Sequence, residues 1–164
     1  MGQSFVAFLK SFVYALRGIG HCIVHERNMR FHLVAAGYTL YFSRFYDFDR
    51  GEFLLLLGVI VLVMVCEAVN TSVEATVNLY TREYRENARI AKDAAAGAVL
   101  LSAIFAVAVG VLLFWEPTVI AGIWEYFIAT PLRWAVFLAV FAAAVIFVFL
   151  PNRIYSGERR KKGV

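Results

Sequence analysis

Four polar residues follow one another along a segment that is otherwise apolar. The segment that directly follows the apolar run of residues 53–66 contains Glu67, Asn70, Glu74 and Asn78. A helix turns by about 100° per residue, so this spacing places all four on one stripe. A carboxylate inside a membrane helix is costly and by default marks a functional site. The alternative is a polar seam that joins neighbouring helices. Two carboxylates on one stripe need a cation opposite them, and a metal ion is the first candidate.

The composition places this stripe in a membrane protein. The chain has 164 residues, of which 62% are hydrophobic, and its mean hydropathy is +0.71. Soluble domains are typically about 45–50% apolar. A net charge of +4 is compatible with a nucleic-acid partner, but the basic residues flank apolar runs. A cytoplasmic membrane face explains them better, so no nucleic-acid partner is predicted.

The hydropathy pattern predicts an all-α membrane protein with an N-terminal amphipathic interfacial helix, three core transmembrane helices and a fourth C-terminal one. The fourth is stopped by Pro151 and followed by a basic tail. We expect two parts, a core over residues 1–116 and an extra helix with its tail over 117–164. In chain order, the predicted segments are the interfacial helix 4–23, a short span around 33–42, a span 53–79, a polar loop 80–93, a span 94–115, an aromatic re-entry segment 116–131 and a span 134–150.

The distribution of positive charge predicts the orientation. Thirteen of the sixteen Lys and Arg residues lie before residue 31, in the 80–93 loop or after Pro151. The positive-inside rule then places both termini and this loop in the cytoplasm. The polar end of the 53–79 span faces the same side, where nucleotides are available.

Three further residues are candidates at this face. Glu26 would lie at the depth of Glu74, and Mg²⁺ characteristically binds one or two carboxylates plus substrate phosphates. The alternative for Glu26 is an ion pair with Arg30 four residues on. Lys92 is either a membrane anchor or a site residue. Asp93 is a site residue, the N-cap of a helix beginning at residue 94, or both. No GxxxxGK[ST] or GxGxxG loop is present, so soluble phosphotransferase folds are excluded while phosphoryl transfer itself is not.

Three sequence blocks carry a resemblance to a known family. They are ERNMRFH (26–32), EAVNTSVEATVN (67–78) and AKDAAAGAVL (91–100), with weaker agreement in KSFVYALRGI (10–19). In this order and spacing the chain resembles the prokaryotic integral-membrane lipid kinases, which comprise diacylglycerol kinase and undecaprenol kinase. The ERN…H form is more similar to the undecaprenol kinase branch.

The resemblance implies a homotrimer in the bacterial inner membrane, with sites shared between subunits. It implies that MgATP phosphorylates the hydroxyl of a membrane lipid alcohol at the cytoplasmic surface. Carried over by motif position, Glu67 matches the general base and Asn70 the catalytic residue beside it. The metal-binding carboxylates match Glu26 and Glu74. The nucleotide-contacting positions fall on Arg17, Glu74, Lys92 and Asp93.

The chain departs from the family pattern in two places. Family members often carry Asp where this chain has Asn78, and residues 117–164 lie outside the core pattern. Undecaprenol is the favoured substrate and diacylglycerol the alternative. Two other classes of function remain open from sequence: a non-catalytic membrane scaffold, and an ion or proton transporter that uses the carboxylate stripe.

Overall fold

The predicted all-α fold class is confirmed. The computed structural model describes residues 2–80 and 85–151, with the side chains from residue 6 onward, and this part of the chain forms six helices and no strand. In chain order they are α1 (Gly2–His25), α2 (Arg27–Ser43), α3 (Arg50–Tyr80), α4 (Glu86–Phe114), α5 (Pro117–Ile128) and α6 (Pro131–Phe149).

Four of the described helices are long and apolar enough to cross a membrane. They are α1, α3, α4 and α6, and the mean hydropathy is 1.2 for α1 against 2.4 to 2.7 for the others. Since α1 is the least apolar of the four, its interfacial placement stays a prediction. The predicted first span corresponds to α2, which has 17 residues and is about 25 Å long at about 1.5 Å per residue. It therefore needs its aromatic flanks to match about 30 Å of hydrocarbon.

The prediction of a polar loop over residues 80–93 was wrong for its second half, because α4 already begins at Glu86. The guanidinium of Arg89 pairs with Glu86 at 3.2 Å and with Asp93 at 3.0 Å. These partners stand three residues before and four residues after Arg89, the spacing that stabilises a helical surface. Asp93 thus lies inside the helix, and the position before its first residue is Arg85. The N-cap prediction for Asp93 was therefore also wrong. Residues 81–84 lie outside the described part.

The helices pack around α3. The most extensive contact is between α3 and α4, while α2 packs against both α3 and α6, α5 against α6, and α1 against α2 and α3. Leu56, Val59 and Val63 form the buried face of α3. Their steps of three and four residues keep them on one side of the helix. Most other large apolar side chains are exposed, as expected for surfaces that face lipid or another subunit.

Side-chain hydrogen bonds fix the conformation of the segment between α2 and α3. The Asp49 carboxylate accepts from the backbone N–H of Glu52 at 2.8 Å, and the Glu52 carboxylate accepts from that of Asp49 at 2.9 Å. This reciprocal capping box fixes the start of α3. The Tyr46 hydroxyl donates to the carbonyl of Phe114 at 2.9 Å. Burial and the Glu116 carboxylate raise the pKa of Tyr46, so its hydroxyl stays a donor at neutral pH.

A buried arginine joins the two parts of the chain. Arg30, on the first turn of α2, is 5% exposed, and its guanidinium donates to the carbonyls of Phe147 at 3.0 Å and Leu150 at 2.8 Å. These carbonyls belong to the C-terminal end of α6, where helical carbonyls have no partner and a cation is favourable. The ERNMRFH block therefore contacts the extra helix as well as the core.

Replacing Arg30 by Met keeps an unbranched apolar stem and removes these donors. We expect Arg30→Met to lower the free energy of unfolding by about 2 kcal/mol, since a hydrogen bond made by a charged group is worth about 1.5–3 kcal/mol and both bonds come from one guanidinium nitrogen. Unfolding in mixed micelles measures the change. Arg27→Met, at an exposed position of the same helix, is the matched control. Equal stability of the two variants would contradict a role for Arg30 in holding α6.

Candidate active site

The four residues of the stripe share one face of α3 but differ in burial. Glu67 is 1% exposed and Asn70 is buried, whereas Glu74 is half-buried and Asn78 is exposed. The stripe thus runs from the interior of the helix packing to an open end near Tyr80. A ligand that arrives from the open end meets Asn78 first and Glu67 last.

The Glu67 carboxylate is the most unusual group of the described chain. Both of its oxygens are buried and form no hydrogen bond of good geometry among the described residues, and the side-chain oxygen of Asn70 is in the same condition. The side chain of Asn28, at the start of α2, lies within hydrogen-bonding reach of the Glu67 carboxylate, and the carboxylates of Glu26 and Glu74 are near enough to repel it. A buried polar group without a well-formed hydrogen bond costs about 1–3 kcal/mol, and a charged one costs more. Such a group is poised for a ligand that brings a proton or a cation.

Hydrogen bonds connect the successive residues of the stripe. The Asn70 side-chain amide donates to the Glu74 carboxylate at 3.3 Å. The Thr71 hydroxyl donates to the backbone carbonyl of Glu67 at 3.0 Å. The first bond orients the amide so that its oxygen is directed away from Glu74 and is available to a ligand. The second bond gives the Thr71 hydroxyl a partner within its own helix, so this hydroxyl does not bind the Glu67 carboxylate.

Helix α4 contributes a cation at the open end of the stripe. The Lys92 ammonium donates to the side-chain oxygen of Asn78 at 2.8 Å. The structure therefore brings Lys92 next to the stripe, and its role in nucleotide binding stays a prediction. With Asn rather than Asp at position 78, Lys92 is not neutralised by that residue. A positive charge consequently remains at the entrance, as binding of an anion requires.

The other candidate residues are less closely connected to the stripe. Asp93 is paired with Arg89 on the exposed side of α4. Arg17 lies on α1 with its guanidinium 5.9 Å from the centre of the Tyr14 ring, and within residues 2–80 and 85–151 it forms no ion pair. Glu26 is half-buried at the N-cap of α2 and makes no side-chain capping bond. Its carboxylate is thus not committed to the helix end.

Asn28 is a residue that the sequence reasoning did not single out. It stands in the ERNMRFH block, and the structure places it beside the Glu67 carboxylate. In the sequence, Asn28 could have been recognised as a site candidate because it stands two residues after Glu26, in a block already assigned to the cytoplasmic face. Only the packing of α2 against α3 shows which carboxylate it approaches.

The donor set suits a metal held jointly with a substrate. Among the described residues, no three His, Cys, Asp or Glu side chains lie close enough together to hold a metal ion. The carboxylates of Glu26 and Glu74 nevertheless flank Glu67, and all the donors are oxygens. One or two carboxylates completed by phosphate oxygens are the usual ligands of protein-bound Mg²⁺ in phosphoryl transfer. The residues present fit this mode rather than an all-protein cage.

Comparison with known proteins identifies the family. The sequence model described as prokaryotic diacylglycerol kinase matches residues 13–114, more than half of the chain. The chain belongs to this family. The match covers α2, α3, α4 and most of α1, and it ends at the last residue of α4.

Individual members of the diacylglycerol kinase family give a consistent result. The chain is 38% identical to the undecaprenol kinase of Bacillus subtilis over 107 residues, which are 65% of this chain and 87% of the relative. It is 38% identical to a diacylglycerol kinase of Synechocystis over 110 residues, 66% of this chain and 63% of that protein. It is 31% identical to the diacylglycerol kinase of Escherichia coli K12 over 112 residues, 68% and 92% of the two chains.

Membership in the diacylglycerol kinase family confirms the enzyme class predicted from the sequence. The protein is a lipid kinase, a phosphotransferase that acts on an alcohol group. ATP follows as the phosphoryl donor from the kinase family. With its long apolar helices, the protein is a multi-pass membrane protein.

Proposed function

We propose that this lipid kinase transfers the γ-phosphoryl group of ATP to the hydroxyl of undecaprenol at the cytoplasmic face of the bacterial inner membrane. The observation that carries the proposal is the buried Glu67 carboxylate, whose two oxygens form no hydrogen bond of good geometry among the described residues. It lies on the same stripe as Asn78, where Lys92 supplies a cation. In this proposal the base acts at the inner end of the stripe and the cation at its outer end.

In this mechanism Glu67 is the general base. A lipid hydroxyl is a weak nucleophile, and a carboxylate within hydrogen-bonding distance takes its proton as the bond to phosphorus forms. Asn70 is held by Glu74, so its free side-chain oxygen can orient the hydroxyl. Burial of Glu67 keeps competing water away from the base. Lipid alcohols reach this position from the bilayer, whereas ATP reaches the open end from the cytoplasm.

The phosphates are proposed to bind between Lys92 and the carboxylates of Glu26 and Glu74. Phosphoryl transfer requires mainly positioning and charge stabilisation. Lys92 supplies positive charge directly, and Arg17 and Asp93 are proposed as further nucleotide contacts. Glu26 and Glu74 would hold Mg²⁺, which when bound neutralises phosphate charge. The carboxylates by themselves would repel ATP, so this part of the proposal predicts a strict requirement for a divalent ion.

Undecaprenol is favoured over diacylglycerol on the balance of the relatives. The B. subtilis relative is an undecaprenol kinase, and the aligned region covers 87% of its length at 38% identity. The Synechocystis relative is equally identical, but it is a diacylglycerol kinase of which 63% is covered. The ERN…H form of the ERNMRFH block, which resembles the undecaprenol kinase branch, also favours undecaprenol.

A direct comparison of the two lipids tests the substrate. Purified full-length protein is given MgATP and either undecaprenol or diacylglycerol in the same mixed micelles. We expect kcat/KM to be higher for undecaprenol, and Glu67→Gln to abolish the signal for both. Higher kcat/KM with diacylglycerol would reverse the substrate assignment. Phosphorylation of neither lipid by intact oligomers would overturn the proposal in favour of a scaffold.

We also propose a homotrimer with both termini in the cytoplasm. Neighbouring subunits would cover part of the large apolar side chains that a single chain leaves exposed. The excess of Lys and Arg at the termini and between α3 and α4 supports this orientation. The proposed catalytic core is residues 1–116, and the family match that ends at residue 114 supports the boundary.

Deleting residues 117–164 tests this division. We expect the truncated protein to keep kcat within about threefold of the full chain, since the residues of the stripe and Lys92 all precede the deletion. Its stability should fall, because Arg30 loses the carbonyls at the end of α6; about 2 kcal/mol is expected. Activity and unfolding are measured on the same preparation. Loss of catalysis in an intact oligomer would place α6 in the active site.

A further inference from the structure

A large cavity of the described chain lies far from the stripe. It is a groove of about 770 Å³ between α2, α5 and α6. Its walls extend along α2 from Val34 to Arg44 and along α6 from Leu132 to Ala144, and they are mostly apolar. Ten residues of helix correspond to about 15 Å. The groove therefore has the shape and surface of a site for a hydrocarbon chain.

Two arginines stand at one end of this groove, around a single tyrosine. Arg133 donates to the backbone carbonyl of Tyr126 at 2.7 Å, and its guanidinium carbon is 4.0 Å from the centre of the Tyr126 ring. Arg44 donates to the hydroxyl of Tyr126 at 3.3 Å and to that of Tyr41 at 3.1 Å. Aromatic rings thus hold both guanidinium groups at the mouth of the groove.

The charge of this pair is not neutralised within the described chain. Neither Arg44 nor Arg133 forms an ion pair with a carboxylate of residues 2–80 or 85–151. Each guanidinium has five N–H donors, and the bonds given above use only some of them. The remaining donors are positioned for an anion, and two neighbouring guanidinium groups favour a phosphate.

A third polar group lies further inside the groove. The Tyr38 hydroxyl is buried and has no hydrogen-bond partner among the described residues, although its ring packs edge-on against Phe137. Tyr38 is six residues, or about 9 Å, from Arg44 along α2. The ester groups of a glycerolipid lie a short distance below its phosphate, so one of them could accept this hydrogen bond.

We propose that this groove binds an anionic glycerophospholipid, with the phosphate on Arg44 and Arg133, an ester carbonyl on the Tyr38 hydroxyl and an acyl chain between α2 and α6. The site goes beyond the kinase reaction and is independent of it. Glu67 lies beside the start of α2, whereas Arg44 follows its last residue, about 25 Å away along the helix. In the proposed orientation, the lipid comes from the outer leaflet.

Lipid binding is tested by native mass spectrometry on the full-length protein, titrated with phosphatidylglycerol or phosphatidylcholine. We expect tighter binding of phosphatidylglycerol, and a loss of about tenfold or more in Arg44→Gln/Arg133→Gln, because a basic residue near a membrane anion contributes about 1 kcal/mol. Arg50→Gln changes an exposed arginine outside the groove and should leave binding unchanged. Kinase activity should be retained in each variant and serves as the readout of folding.

Two further variants separate the alternatives. Tyr38→Phe should weaken binding of both lipids by about threefold, as loss of one neutral hydrogen bond implies. Val140→Trp should fill the groove and reduce phosphatidylglycerol binding while activity persists. Equal affinity of the two lipids for the unmodified protein, or unchanged phosphatidylglycerol binding by the double arginine variant, would overturn the proposal. If Val140→Trp dissociated the oligomer and left lipid binding intact, the occupant would be a second copy of the chain.

Discussion

Replacing Glu67 by Gln is expected to lower kcat by about 100-fold or more while KM for ATP stays nearly unchanged. Gln preserves the size of the side chain and its hydrogen-bonding capacity but cannot accept the proton of the lipid hydroxyl. Because Glu67 is 1% exposed, water cannot readily replace the missing base. Steady-state kinetics with the lipid and ATP varied separately measure both quantities.

A matched control distinguishes loss of the base from loss of a charge. Glu125→Gln removes an exposed carboxylate from α5, outside the family match, and should change kcat by less than twofold or so, as is usual for surface substitutions. Unfolding in mixed micelles should show that Glu67→Gln is folded. A Glu67→Gln enzyme with normal turnover and a raised requirement for Mg²⁺ would move Glu67 from base to metal ligand.

Glu74→Gln is expected to act on nucleotide binding instead. Removing a metal ligand should raise KM for ATP by about tenfold, equivalent to about 1.4 kcal/mol, with partial rescue at higher Mg²⁺ concentration. The Asn70 amide can still donate to the Gln oxygen, so the hydrogen bond recorded at 3.3 Å is preserved. Glu26→Gln should behave in the same way if both carboxylates hold one ion. A fall in kcat alone would contradict this assignment.

Mixing the two variants, at an ATP concentration low enough that Glu74→Gln alone is poorly active, tests whether subunits share a site. If the base of one subunit works with the metal ligands of its neighbour, co-assembled Glu67→Gln and Glu74→Gln chains contain some complete sites. Activity should then recover to a measurable fraction of that of the unmodified enzyme. Oligomers assembled from one variant alone are the control. A site contained within one subunit would give no recovery.

The sequence was sufficient for five of the six described helices and for the polar stripe, whereas α5 (Pro117–Ile128) was expected only as an aromatic re-entry segment. The spacing of Glu67, Asn70 and Glu74 predicted one polar stripe, and the structure buries its inner residues. Hydropathy failed at the start of α4, where charged residues were taken as a loop. Glu86, Arg89 and Asp93 stand three and four residues apart, and this pairing pattern is itself a helix signal.

Sequence patterns could not predict the contacts between segments that are far apart in the chain. The bond from Lys92 to Asn78 depends on how α4 packs against α3. The bonds from Arg30 span 117 and 120 residues, and no periodicity relates a residue to a partner at that distance. Sequence reasoning paired Glu26 with Arg30 or with a metal, and it had no means of placing the end of α6 beside Arg30.

The position of Arg30 also bears on how the protein is made. Chains emerge from the ribosome N-terminus first, so α2 is synthesised long before the carbonyls of Phe147 and Leu150 that accept its guanidinium hydrogen bonds. Until then the two carbonyl acceptors of α6 are absent from the surroundings of Arg30. The contact between α2 and α6 therefore forms only after α6 has been synthesised. A chain released before that point lacks the Phe147 and Leu150 acceptors, and we expect it to be less stable than the full-length protein.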